Sequence, residues 1–355
     1  MIKKDQIETP ALLVDLDILE SNINKMASYF EGKSARLRPH FKSFKSPAIA
    51  HMQIKAGAKG ITCAKLSEAE VLVEAGINDV LIANQIVDTS KIERLAGLAH
   101  NAKITVCVDN ASNVTDISNM AEVFGSTVYI LVEIEMGMMR CGVETKEEAL
   151  RLARQIADSK GLVFEGFQAY AGQLCHLADL AERKKGVEKG EAKLIDFKTY
   201  FEANGMPVKE ISGAGTGTYN LPHDNKTWTE IQAGSYIFMD TDYNSLDLGF
   251  ENALTVLTTV IHKRRDYAVT DAGIKVCCQE KGKPAIKGYT GLSVIHLSEE
   301  HGKIHDENDE LAYLQKIEYI PSHCCATANL HDYYYCVRDN LLETVWPISG
   351  RGKSR

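Results

Sequence analysis

Through residue 249, short apolar runs alternate with longer amphipathic stretches, the pattern of βα units around a parallel sheet. The runs at 11–15, 36–39, 60–64, 80–84, 104–109, 128–133, 162–169 and 208–212 predict strands. The stretches between them predict helices, one opening on a capping box of Ser67 and Glu70 ahead of Val71, Leu72 and Val73. So many units in one stretch of chain favour a closed (β/α)8 TIM barrel over an open doubly wound sheet, and hence an α/β fold. After Gly249 the rhythm changes. The runs at 254–262, 267–270, 274–278, 291–297, 314–320, 333–337 and 343–347 are short, β-branched or aromatic, and separated by turn residues. They predict a C-terminal β-strand-rich domain. The acidic stretch 301–310, with Asp306, Glu307, Asp309 and Glu310, reads as a solvated hairpin tip without the regular spacing of a calcium loop.

The 355 residues suffice for one large domain and a smaller one, and 45% apolar with 25% charged residues is an ordinary globular composition. A formal net charge of −8 argues against nucleic acid or an anionic membrane as partner. The polar first ten residues do not read as a secretory signal, and no apolar run has the length of a membrane span. The nine cysteines are scattered, and Cys63 and Cys107 sit inside apolar runs as small buried hydrophobes would. A reduced, cytoplasmic compartment is expected.

The chemistry concentrates in four stretches. Arg38-Pro39-His40-Phe41-Lys42-Ser43-Phe44-Lys45 follows an apolar run, and a lysine at a barrel strand's C-terminal end can hold a carbonyl cofactor as a Schiff base. Arg38, His40 and Lys45 would supply a positive environment that favours its free amine; the plain alternative is a basic solvated loop. Ser212-Gly213-Ala214-Gly215-Thr216-Gly217-Thr218 is either a phosphate cradle after a late strand or a structural turn, and its spacing is not that of a dinucleotide fold. Arg140 either meets a cofactor ring or pairs with Glu133 or Glu135, while Tyr170 and His176 are delivered to the catalytic face or packed in the core. In extended chain, His323 and Cys325 point the same way, and an imidazole with a thiolate suits zinc. Two protein ligands would leave positions open, as a catalytic site needs, although a lone His-x-Cys recurs by accident.

Taken together these stretches resemble the D-threonine aldolase and D-serine dehydratase family, pyridoxal-phosphate enzymes with an alanine-racemase-like barrel. The likeness runs from Glu8-Thr9-Pro10-Ala11-Leu12-Leu13-Val14-Asp15 to Trp346-Pro347 and Gly350-Arg351-Gly352. Its most specific element, 38–45, is close to R-P-H-x-K-[TS]-H-K, with Phe44 replacing the usual histidine. The resemblance implies that Lys42 carries pyridoxal 5'-phosphate and that Ser212, Gly215, Thr216, Gly217 and Thr218 hold its phosphate. Tyr236, with Gly234, Ser235 and Asp240, would close over that loop, and Arg140 and Tyr170 would flank the ring. His323 and Cys325 would hold a divalent metal, zinc, manganese or magnesium. It also implies a homodimer, a segment 1–20 packing with the β domain, a barrel over 21–249 and a metal-bearing β domain over 250–355.

A small D-β-hydroxy amino acid is the implied substrate, and two outcomes compete. Retro-aldol cleavage to glycine and an aldehyde, with His176 or metal-bound water as base, is favoured by Ser322-His323-Cys324, by 327–332 and by Gln168-Ala169-Tyr170 with Gly172 and His176. Cys325 points instead to dehydration, because the aldolase branch commonly carries aspartate there. An amino-acid racemase and a non-catalytic pyridoxal-phosphate carrier are more distant alternatives.

Overall fold

In the computed structural model, which describes residues 2–221 and 227–355, the chain divides into two compact units. One comprises Ala27–Lys42, Ile49–Gly234 and Lys353–Arg355; the other comprises Met1–Met26, Ser43–Ala48 and Ser235–Gly352.

The first unit is the barrel. Its parallel strands are Arg36–Leu37, Ile61–Cys63, Asp79–Gln85, Lys103–Val108, Val128–Glu133, Leu162–Ala169, Glu210–Gly213 and Glu230–Ile231. Strands such as Lys103–Val108 are buried almost continuously, as expected where both sheet faces are covered. The ring closes between the first two: His40 bridges Thr62 in parallel, Thr62 N–H donates to Pro39 O at 2.8 Å, and Lys59 N–H donates to Leu37 O at 2.9 Å.

Two elements differ from the expected set. Ala11–Asp15 is not a barrel strand, for it pairs antiparallel with Leu254–Lys263 and parallel with Tyr333–Arg338 in the second unit. A five-residue apolar run reads alike in either sheet, so only its distant partners decide. The barrel strand Glu230–Ile231 has two residues, too few to show a period. The capping box is also absent. The helix Leu66–Glu74 starts after Lys65, Ser67 lies in its first turn, and Glu68 rather than Glu70 turns back to accept Ala64 N–H at 2.8 Å.

Arg38 shows what seals the ring. Its buried guanidinium points toward strand starts, donating to both oxygens of Glu230 at 2.9 Å and to Asp79 Oδ1 at 2.8 Å. Lys59 joins Glu230 at 2.5 Å and also pairs with Glu210. Gly60 is glycine for the same reason, since a Cβ there would stand 2.5 Å from Arg38 Nη1 and from Asp79 O. Burial alone would raise the Glu230 carboxyl, but Arg38 and Lys59 outweigh it and hold it at about 2. Because this folded carboxyl titrates below its unfolded counterpart, its contribution is complete at neutral pH. That contribution fades as pH falls from the ordinary glutamate range toward about 2. Removing one partner of such a buried pair costs about 3–5 kcal/mol. Arg38→Met and Glu230→Gln should therefore lower the chemical denaturation midpoint at pH 7, and Glu230→Gln should flatten the acid limb of the stability profile. A wild-type midpoint that both substitutions leave unmoved would rule this out.

The second unit is a nine-stranded sheet containing Ala11–Asp15, Leu254–Lys263, Tyr267–Thr270, Ala285–Ile286, Ser293–Leu297, Gly302–His305, Lys316–Ile320, Tyr333–Arg338 and Leu341–Pro347. The run 274–278 is a turn rather than a strand, with Val276 and Cys277 N–H groups both donating to Gly273 O. The expected hairpin tip is part strand: Gly302–His305 pairs with Tyr267–Thr270 and Ser293–Leu297. Asp306 is fully buried, bound by Lys263 and by the N–H groups of Glu310 and Leu311 at 2.7 and 3.1 Å. All nine cysteines are free thiols, and among the described residues no helix is long and apolar enough to cross a membrane.

Candidate active site

Lys42 lies in a single turn, Phe41–Ser43, just past the seam of the barrel. It lines a pocket whose other walls, including Asn84, Glu133, Gln168, Tyr170 and Gln232, come from the C-terminal ends of strands or the residues just after them. Lys42 Nζ stands 5.4 Å from the centre of the Tyr170 ring. The cations expected around it are engaged otherwise. Arg38 is neutralised by Glu230 and Asp79. Lys45, at φ 50° and in the other unit, points its ammonium at Gly350 O, 3.5 Å away. His40 Nδ1 faces the Lys42 backbone N–H at 3.3 Å.

Arg140 lines the pocket, and its half-exposed guanidinium stands 3.9 Å from Glu133, the pairing expected of it. Glu135 instead accepts the N–H groups of Gly137 and Met139 at 2.7 and 2.8 Å. Burial pushes the Glu133 carboxyl up, against the pull of the Gln85 amide at 2.6 Å and of Arg140. Gln232 Nε2 donates to Gln168 Oε1 at 2.7 Å and to Ser212 Oγ at 2.9 Å, which places Ser212 against a buried amide pair. Gln85 and Gln232 were not singled out from sequence, and Glu133 was named only as a partner for Arg140. The one available signal was a carboxylate closing the apolar run 128–133.

The glycine-rich stretch forms a tight turn, with Thr218 Oγ1 accepting Gly215 N–H at 3.1 Å. Here the glycines answer to close packing. A Cβ on Gly217 would stand 1.8 Å from Cys175 O, and one on Gly215 would stand 2.8 Å from Cys175 Sγ. The buried Cys175 thiol, 3.8 Å from Thr218 Oγ1, also engages the Tyr170 hydroxyl, so it ties that ring to the loop. A lysine amine near a tyrosine ring in a pocket at the strand ends suits a flat carbonyl cofactor, whereas the turn 212–218 packs against Cys175 and is not among the residues lining that pocket. His176 is exposed and does not line the pocket. Tyr236 belongs to the other unit, where it is fully buried with its ring 5.5 Å from that of Phe250.

In that second unit, His323 and Cys325 come together, though not in extended chain. His323 has extended backbone and immediately precedes the short helix Cys324–Ala328, so Cys325 lies in the helix's first turn. Asp240 secures this start by accepting Cys324 N–H at 2.9 Å and Tyr243 N–H at 3.0 Å. Cys325 Sγ donates to Ser43 Oγ at 3.2 Å and lies 3.4 Å from Ser235 Oγ. Ser43 is the residue after Lys42 in the chain. Burial would lower the His323 pKa, but the Cys325 thiol and the Glu280 carboxylate prevail and raise it to about 9. An imidazole and a thiol are donors suited to zinc, yet among the described residues no group of three or more histidine, cysteine, aspartate or glutamate side chains is arranged to hold an ion. Phe44 is fully buried and its carbonyl accepts the Tyr334 hydroxyl at 2.7 Å, which makes it a core residue of this unit.

A family model described as alanine racemase, N-terminal domain, matches residues 14–242, and one described as a putative serine dehydratase domain matches residues 253–337. The chain belongs to the D-threonine aldolase and D-serine dehydratase family. Within that pyridoxal-phosphate family, 3-hydroxy-D-aspartate aldolase from Paracoccus denitrificans (strain Pd 1222) is 39% identical over 362 residues, covering 99% of this chain and 94% of its own. The crystal structure of D-threonine aldolase from Filomicrobium marinum superposes with a TM-score of 0.97 at 39% identity, covering 100% of this chain and 98% of that one. D-threo-3-hydroxyaspartate dehydratase from Delftia sp. (strain HT23) is more distant, 27% identical over 97% of this chain and 98% of its own.

Proposed function

We propose that this chain is a pyridoxal-phosphate- and divalent-metal-dependent lyase that cleaves D-β-hydroxy amino acids to glycine and an aldehyde. The observation that carries the reading is the lysine-bearing pocket at the strand ends of a chain 39% identical, over nearly its full length, to an aldolase of this substrate class. Lys42 anchors the cofactor covalently, and the turn Ser212 to Thr218 receives its phosphate, with Gly215, Thr216 and Gly217 bringing the backbone close. Arg140 and Tyr170 flank the ring. When bound, pyridoxal phosphate supplies the electron sink for the carbanion left at Cα. His323 and Cys325 would hold a divalent ion, which would supply Lewis acidity toward a hydroxyl oxygen. His176 is exposed and outside the lysine pocket, so the acceptor of the hydroxyl proton is either it or a water held at the ion.

Cys325 keeps dehydration as the second reading, because a thiolate draws a softer, more strongly Lewis-acidic ion than a carboxylate does. A product assay separates the two. Cofactor-loaded protein should convert D-threonine or D-3-hydroxyaspartate to glycine plus an aldehyde when zinc or manganese is added, and should fall silent with chelator. Ammonia and a 2-oxo acid would establish the dehydratase instead, and turnover indifferent to chelator would favour a racemase-type site.

A further inference from the structure

Glu280 completes the side-chain group at His323 and Cys325, and nothing in the sequence marks it. Its Oε2 lies 2.7 Å from His323 Nδ1. We propose that Glu280 is a positioning residue that holds the His323 ring through Nδ1 and so presents Nε2 to a divalent cation, which takes the place of a second ring proton. The inference rests on the metal reading above and assigns that site its outer carboxylate.

The contact is built into the fold. Ser322 and Thr327, both fully buried, flank the His323–Cys325 pair in sequence, and both hold the loop that carries Glu280. Ser322 Oγ donates to Cys278 O at 3.0 Å, and Cys278 N–H donates to Thr327 Oγ1 at 3.1 Å. Glu280 N–H then reaches Cys278 Sγ at 3.4 Å, and Gly282 N–H closes a turn onto Gln279 O at 3.1 Å. The segment bearing the imidazole thus sets the position of the carboxylate that orients it. A neutral imidazole can carry its proton on either nitrogen and can swing about its side-chain torsions. A carboxylate accepting from Nδ1 removes both freedoms and strengthens Nε2 as a donor to metal.

The Glu280 side chain is 59% exposed, and an exposed pair of this kind adds little to folding stability. A positioning role and a structural role therefore leave different traces. The test is a Zn2+ titration of metal-stripped, cofactor-loaded protein in competition with a chromophoric chelator, run alongside thermal melts. Wild type should take up Zn2+ in a manner that His323→Ala abolishes. Glu280→Ala should bind about 10–100-fold more weakly with an unchanged melt, and its kcat should recover toward wild type at saturating Zn2+. Glu280→Gln, which keeps an acceptor without the charge, should fall between them. Equal Zn2+ affinity in wild type and Glu280→Ala would overturn the positioning role alone. Wild type that takes up no Zn2+ through His323 would overturn the metal reading and this inference with it.

Discussion

Lys42→Ala is expected to yield a colourless, folded and inactive protein. Lys42 is the one lysine lining the described pocket, and it is delivered there by a turn directly after the closing strand of the barrel. Removing the proposed covalent anchor should lower kcat/KM by on the order of 10³-fold or more. Lys42→Arg makes a sharper comparison, since it keeps the charge near the Tyr170 ring but cannot form the covalent link. Both variants should lose the yellow colour of the loaded enzyme while their circular dichroism matches wild type. Full activity in either would remove the basis for placing the chemistry at this residue.

His323→Ala and Cys325→Ala should separate colour from turnover. Both residues lie outside the lysine pocket, so cofactor absorbance should remain, while the ion proposed to bind there should be lost. Metal ions contribute several kcal/mol to stabilising developing charge, which corresponds to a loss of at least about 10²-fold in kcat. Chelation should reproduce the loss in wild type, and added zinc should reverse it there but not in the variants. Cys325→Asp replaces the thiolate with a hard oxygen donor and should move the preferred ion from zinc toward manganese. Wild-type turnover that persists unchanged in metal-free buffer is the result that would refute the metal role.

How far these sites were legible from sequence follows from how each signal is made. Lys42, Arg140, Tyr170 and the turn 212–218 all lie at or just after apolar runs that periodicity locates, and a strand's C-terminal end in a barrel is already a catalytic address. Their partners were hidden by distance along the chain. Cys175 meets the phosphate turn across 43 positions, Gln232 meets Gln168 across 64, and Glu280 meets His323 across 43. Arg38 misled because charge near Lys42 in sequence is not charge near it in space. A long side chain at a strand end can run back along the barrel, and this one ends among carboxylates at the strand starts. His323 and Cys325 were paired for the wrong local reason, since the alternation of an extended chain and the first turn of a helix can both place residues i and i+2 near one another.

The alternation of apolar runs and amphipathic stretches, followed by short β-branched runs, was enough by itself to favour a barrel joined to a strand-rich part, because period and length are local properties. The motif at 38–45 was enough to mark the lysine. Only the tertiary structure decided that Ala11–Asp15 pairs with Leu254–Lys263 and Tyr333–Arg338, that two residues at Glu230–Ile231 complete the barrel, and that a buried Arg38–Glu230 pair seals it. It alone also put a carboxylate behind His323. Strand partnership, ion pairing and imidazole orientation all depend on groups brought together from remote parts of the chain, and no local pattern encodes which of several equally suitable partners arrives.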